Sequence, residues 1–232
     1  RRFHTESPQP FTFRKLGGKM GHTPRVLLAG VSSGCGKTTA MCAILQALVN
    51  RGLRVGAFKC GPDYIDPMFH SRIIGAKSGN LDLHFFSENT ARFLLAKNAA
   101  DRDVSVIEGV MGYYDGLGLT STQASSYAVA QATASPAVLV VSAKGASLSV
   151  LAVIQGFLQF RPDANIRGVL LNQCSPMAYG ALSGAIEAQL GIRCLGYLPK
   201  MEDVTLESRH LGLVTADEVT HLREKMQLLA EQ

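Results

Sequence analysis

The run Gly30-Val31-Ser32-Ser33-Gly34-Cys35-Gly36-Lys37-Thr38-Thr39 carries the clearest chemistry in the chain. An apolar segment, Val26 to Ala29, precedes it, and a helix-forming segment, Met41 to Asn50, follows it. A glycine-rich turn between a strand and a helix aims backbone N–H groups and the positive end of a helix at an anion. Gly34 and Gly36 let the backbone approach phosphate oxygens closely. Lys37 is expected to reach the β- and γ-phosphates, and the Thr38 hydroxyl to ligate Mg²⁺. Ser33, Gly34, Cys35, Gly36, Lys37, Thr38 and Thr39 form the expected nucleotide-binding set. One position departs from the strict P-loop pattern: Val31 stands where a glycine is usual, and the glycine sits one place earlier, at Gly30.

Three further segments could serve the same site. Val104-Ser105-Val106-Ile107-Glu108-Gly109 is an apolar strand ending in an acid. An acid at the tip of a strand beside a P-loop holds Mg²⁺ directly or through water, so Glu108 is the candidate. Lys59-Cys60-Gly61-Pro62-Asp63-Tyr64-Ile65-Asp66-Pro67 follows another strand, which puts Lys59 at the same edge. Asp63 and Asp66 fit metal binding or substrate positioning, and equally an ordinary Pro-Asp turn. Asn172 closes a later strand and has the donor and acceptor to pair with an adenine edge. The six histidines show no metal-ligand spacing, and most of them read as surface or structural residues. No Gly-x-Ser-x-Gly elbow or Cys/His nucleophile pattern is present.

The elements that must position these residues alternate between strand and helix. Apolar, β-rich runs fall at Val26–Val31, Leu53–Lys59, Val104–Val110, Ala137–Ala143, Val169–Asn172 and Cys194–Leu198. Helical patterns fall at Lys37–Asn50, Asn89–Asn98, Ser125–Thr133, Leu148–Phe160, Met177–Leu190 and Asp217–Ala230. The strands are continuous apolar runs, the signature of a parallel sheet covered on both faces. The expected fold is therefore α/β, a mostly parallel central sheet with helices on both faces. Ligands then sit outside the C-terminal strand ends, where the polar segments Cys60–Asp82 and Gly109–Thr122 emerge.

Composition narrows the partners. The net charge of +5 belongs wholly to residues 1–25, and the remaining 17 basic and 17 acidic residues cancel. A basic tail on a neutral body argues against a nucleic-acid-binding face on the folded domain. Residues 1–24 are expected to be a disordered tail, with Met20 a candidate start, and residues 25–232 a single domain. No run of about 18 apolar residues appears, so no membrane partner is expected. The five cysteines are odd in number and lack a CxxC pair, which points to a reducing cytoplasm and away from disulfides or zinc.

These segments together resemble the cobyrinate a,c-diamide synthase family, specifically its N-terminal ATP-binding synthetase domain. The likeness rests on Ser33–Thr39, Phe58–Pro67, Asn80-Leu81-Asp82, Glu108–Gly116 and Arg209-His210-Leu211-Gly212-Leu213, in that order. The resemblance implies the P-loop fold shared with dethiobiotin synthetase and MinD-like ATPases. It implies ATP-dependent amidation of the a- and c-side-chain carboxylates of cobyrinate or a related tetrapyrrole, through a carboxyl phosphate. Lys37, Lys59, Asp63 and Glu108 would be catalytic, and Thr38, Asp63 and Glu108 would gather around Mg²⁺. Tyr64, Asp66, Asn80, Asp82, Tyr114 and Asp115 would line the substrate side. Ammonia would come from a glutaminase domain or subunit absent from this chain, and a homodimer is compatible with the pattern. ATP and GTP are both compatible with Asn172, and the macrocycle and its metal stay open. The competing reading is a MinD-like, nucleotide-switched ATPase acting through dimerisation. Ser32 occupies the place of the signature second lysine of such ATPases, which weakens that reading.

Overall fold

A computed structural model describes residues 12–15, 18–22, 24–200 and 216–231. The first strands, β1 (Thr12–Lys15) and β2 (Gly18–His22), pair antiparallel as a separate two-stranded sheet. They fall inside the stretch read from sequence as a disordered tail. The Arg209–Leu213 motif, His4 and His210 lie outside the described residues.

The main sheet has seven strands: β3 (Arg25–Gly30), β4 (Val55–Cys60), β5 (Lys77–Leu81), β6 (Val104–Glu108), β7 (Ala137–Ser142), β8 (Ile166–Asn172) and β9 (Cys194–Leu198). Their spatial order is β5-β4-β6-β3-β7-β8-β9, and every pairing is parallel. The expected α/β architecture is therefore observed. Consecutive side chains point to opposite faces of a strand. Leu27 and Ala29 enter one core, while Leu28 between them enters the other. This two-sided burial is why β4 is buried at every position and reads as one apolar run.

Helices cover both faces. On one side lie α1 (Lys37–Asn50), the short α2 (Ile65–Phe69) with its continuation as a π-helical turn (His70–Ile74), and α7 (Ala216–Ala230). They contribute Met41, Leu45, Phe69, Ile73, Met226 and Leu229 to that core. On the other side lie α3 (Glu88–Ala99), α4 (Ser126–Thr133), α5 (Ser149–Phe160) and α6 (Pro176–Leu190). They contribute Leu95, Val129, Ile154, Leu182 and Ile186. Ser87, Ser125 and Ser175 cap α3, α4 and α6, each accepting a hydrogen bond from a first-turn N–H.

Two elements escape the apolar pattern. β5 has the sequence Lys-Ser-Gly-Asn-Leu and sits at a sheet edge, so it needs backbone pairing to β4 rather than a buried run. α2 contains Pro67 in its first turn, where a missing N–H costs nothing. Its Pro-Asp composition reads as a turn, but the Asp63 carboxylate accepts hydrogen bonds from the N–H groups of Ile65 and Asp66 and starts a helix instead.

Candidate active site

Parallel register builds the site. Lys59 at the end of β4 lies opposite Glu108 at the end of β6, and opposite Asn80 on β5. Glu108 in turn lies opposite Leu28 on β3, two residues before the P-loop begins. Three neighbouring strands thus deliver their ends to one edge.

The loop after β3 is shaped to leave backbone donors free. Gly36 has φ 101°, a left-handed conformation, and precedes α1 without any side-chain cap. The first turn of α1 carries no acidic residue, so nothing in it offsets the positive helix end. Asn172, at the end of β8, donates through Nδ2 to the Cys35 carbonyl at 3.0 Å and packs on the face of Gly36. One N–H of the amide expected to contact a base is thereby engaged in holding the loop. Lys37 is buried at 8 % exposure and donates to the Ser32 carbonyl at 2.9 Å. Burial lowers its pKa, against the opposing pull of Glu108 and Asp115. A Cβ at Gly30 would meet Cys35 Sγ at 2.6 Å and Lys37 Nζ at 2.8 Å. The displaced glycine is explained: the loop folds Lys37 and Cys35 back over Gly30, so the bare position is needed there.

Lys59 is the hub. Its Nζ lies 2.6 Å from Asp66 Oδ2, 3.0 Å from Glu108 Oε1 and 3.9 Å from Asp63 Oδ2. Burial works to lower its pKa, but Glu108 and Asp66 outweigh burial and hold it above the ordinary lysine value. The Asp66 pKa is raised as well, from a different balance. Burial and the charge of Glu108 raise its pKa, and Lys59 only partly offsets them. Thr38 Oγ1 donates to Glu108 Oε1 at 2.7 Å, linking the P-loop to this network.

Of the residues expected around a cation, Thr38 and Glu108 converge, and Asp63 meets them through Lys59. Among the described residues, no three His, Cys, Asp or Glu side chains gather to hold a metal by themselves. A hydroxyl and a carboxylate are hard oxygen donors, and the Thr38 Oγ1–Glu108 Oε1 contact sets them side by side at the P-loop. That donor set fits Mg²⁺ completed by phosphate oxygens and water, which needs only one or two protein ligands.

The expected substrate residues divide. Tyr64 is 81 % exposed and, with Lys59, Asp63, Ile65 and Val110, lines a cavity of ≈ 370 Å³. Asp66 is turned inward onto Lys59 and is 5 % exposed. Asn80 donates to the Gly61 and Asp63 carbonyls at 2.9 and 2.5 Å and braces the turn that carries Tyr64. Asp82 is buried and accepts from the His84 N–H. Tyr114 donates to the Phe157 carbonyl at 2.7 Å and stacks on the Phe157 ring. Asp115 accepts from the Gly112 N–H at 2.8 Å and is exposed. Tyr114 and Asp115 line a second cavity of ≈ 440 Å³ with Met111, Phe160 and Arg161.

Two residues were not singled out by sequence. Ser126 hydrogen-bonds both the N–H and the carbonyl of Val110, fixing the loop after Glu108. His70 is 1 % exposed, and its Nε2 lies 3.9 Å from Glu108 Oε2. Burial lowers its pKa to about 4, so the ring is neutral near pH 7. A histidine eleven places after Lys59 gives no spacing signal, since its contact is made across the sheet edge.

A family model described as the CobQ/CobB/MinD/ParA nucleotide binding domain matches residues 26–214. The cobyrinate a,c-diamide synthase of Listeria monocytogenes is 44 % identical over 209 residues, covering 89 % of this chain and 46 % of the relative. The protein of the same name from Thermoplasma volcanium is 43 % identical over 209 residues, covering 90 % and 46 %. The chain spans about half the length of the curated relatives it matches. Among solved structures, the signal recognition particle 54 kDa protein from Aeropyrum pernix K1 in complex with GDP aligns with a TM-score of 0.55. It shares 19 % identity, over 90 % of this chain and 50 % of that one. Cell division protein ftsY from Thermotoga maritima aligns at 0.53 with 16 % identity, over 90 % and 69 %. At that identity the likeness concerns the fold.

Proposed function

The chain belongs to the CobQ/CobB/MinD/ParA nucleotide binding domain family, and from that premise we propose that it is the ATP-binding synthetase half of a carboxylate amide ligase. The substrate is a tetrapyrrole bearing free side-chain carboxylates, cobyrinate or a relative. One observation carries the reading. Two buried lysines, a hydroxyl and a carboxylate meet at the ends of three adjacent strands, beside an open cleft with an exposed tyrosine.

A carboxylate is a poor electrophile, and phosphorylation gives it a leaving group. Bringing it to ATP sets two anions together, so the site must supply positive charge where charge develops. Lys37 and the free N–H groups of the Gly34–Thr39 loop face the triphosphate. Lys59, held by Asp66 and Glu108, is fixed between the P-loop and the cleft and orients the incoming carboxylate. A substrate carboxylate oxygen attacks the γ-phosphorus and ADP leaves. Ammonia then attacks the acyl carbon, and phosphate leaves with that oxygen. Thr38 and Glu108 would hold Mg²⁺, which supplies charge neutralisation on the phosphates. Exposed Tyr64, Phe85, Phe86 and Met111 offer apolar surface around the strand ends for a large ring. Ammonia derives from glutamine through a glutaminase domain or subunit, and five unpaired cysteines suit a reducing cytoplasm. No helix among the described residues is long and apolar enough to cross a membrane.

The test is ADP formation from Mg-ATP with ammonia and a corrin carrying free carboxylates. Turnover should need all three, fall by roughly 10²–10³-fold in Lys37→Ala and disappear in Lys59→Met. ATP hydrolysis indifferent to corrin and ammonia, together with ATP-driven dimerisation, would favour the nucleotide-switched ATPase instead.

A further inference from the structure

Glu108 uses its two oxygens unequally. Oε1 accepts from Thr38 at 2.7 Å and lies 3.0 Å from Lys59 Nζ. Oε2 is buried with no hydrogen-bond partner among the described residues. Facing it at 3.9 Å is Nε2 of His70, also buried and also without a hydrogen-bond partner, as is Nδ1 of the same ring. Buried donors and acceptors are seldom left unmade, and these two lie within an ångström of hydrogen-bond distance of each other. His70 is brought there by a local irregularity. It opens a π-helical turn, His70–Ile74, which continues the α2 helix and ends at Gly75 with φ 83°. Such turns re-aim side chains and recur at functional sites.

We propose that His70 is a positioning residue for Glu108: its Nε2–H donates to Oε2 and fixes the carboxylate's rotation, so that Oε1 stays with Thr38 at the Mg²⁺-nucleotide site. A hydrogen bond needs about 3 Å, so closing the 3.9 Å gap takes a shift of about 1 Å, within side-chain rotation. A neutral imidazole suits this task. It supplies a donor without adding a second cation beside Lys59, which would compete with Mg²⁺ for the same carboxylate. Histidines and carboxylates behind metal ligands do this work in many sites, and their loss weakens metal affinity roughly 10–100-fold. The inference rests on the Mg²⁺-nucleotide reading of the site and adds a residue to it.

The test measures ADP binding by calorimetry, with EDTA and across a Mg²⁺ titration, in the wild-type chain, His70→Phe and His70→Gln. In wild type, Mg²⁺ should tighten ADP binding. His70→Phe should weaken the apparent Mg²⁺ affinity by roughly tenfold or more while leaving ADP affinity in EDTA unchanged. His70→Gln, which keeps an amide donor near the Nε2 position, should recover most of the loss. His70→Asn, whose donor is too short to reach Oε2, should not. In a Glu108→Gln background, His70→Phe should add no further loss. If His70→Phe fails to fold, the Gln and Asn variants give the same contrast. Mg²⁺ affinity unchanged in His70→Phe or His70→Asn, or lost equally in His70→Gln, would overturn the inference and leave the nucleotide site standing. A wild-type chain that binds ADP without any effect of Mg²⁺ would overturn the cation assignment of Glu108 and the inference with it.

Discussion

Replacing Lys59 with methionine removes a charge while keeping most of the stem and its volume. Its ammonium sits 2.6 Å from Asp66 and 3.0 Å from Glu108, in a pocket where Lys59 is 8 % and Glu108 0 % exposed at the side chain. Removing one partner of a buried pair strands the other charge and costs about 3–5 kcal/mol. Here two carboxylates are stranded against each other. For a domain of this size each kcal/mol lowers the melting temperature by about 2–4 °C, so a fall of about 6–20 °C is expected. The pH dependence has a definite sign. Burial and the charge of Glu108 already raise the Asp66 pKa above its ordinary value, and losing the ammonium removes the group that offsets them. The folded state then gains protons and stability as pH falls. The deficit of Lys59→Met relative to wild type should therefore be largest near pH 8 and shrink toward about pH 5.5. Adding Asp66→Asn and Glu108→Gln should restore most of the melting temperature without restoring turnover. Calorimetric melts of wild type, Lys59→Met and the triple variant at both pH values decide it. A Lys59→Met melting temperature equal to wild type near pH 8, or a deficit that grows on acidification, would refute the buried-hub account.

Lys37→Ala should reduce turnover by roughly 10²–10³-fold, the usual scale for losing one preorganised donor, with a smaller change in melting temperature than Lys59→Met. Steady-state rates and melts on the same samples check both halves. Gly36→Ala places a Cβ against the Asn172 amide at φ 101°, so it should cost about 1–3 kcal/mol or more and abolish ADP binding, read by calorimetry. His70 has its pKa lowered to about 4 by burial, so the unfolded chain takes up the proton first. Stability of the ligand-free chain should then fall as pH drops from about 6.5 to about 4, by about 3 kcal/mol at 1.36 kcal/mol per unit. His70→Phe should remove that slope from a series of denaturant melts.

How much was legible in the sequence depends on where each signal lives. Six of the seven main-sheet strands announce themselves because a strand covered on both faces must be apolar throughout. β5 does not, because an edge strand is held by its backbone and can afford Ser78 and Asn80. Lys59 and Glu108 stand out because a charged residue ending an apolar run has few structural reasons to be there. Their mutual contact follows from strand register, which the sequence does not display. The pairing of Asp66 with Lys59 is likewise not displayed by spacing, because it depends on α2 turning the carboxylate inward. Asn172 has a second task that its place at a strand end does not display: one N–H of its amide holds the Cys35 carbonyl of the P-loop. His70 was invisible because its partner lies thirty-eight residues away on another strand, and a π-helical turn has no periodicity to read.

The central claim is that this edge activates a carboxylate by phosphorylation. The direct measurement uses a corrin whose side-chain carboxylates are labelled with ¹⁸O, incubated with the chain, Mg-ATP and ammonia. The inorganic phosphate formed is then analysed by mass spectrometry. The account predicts one ¹⁸O in phosphate for each amide made, and neither product in Lys59→Met. Amide formed with unlabelled phosphate, or phosphate released without any amide, would contradict it.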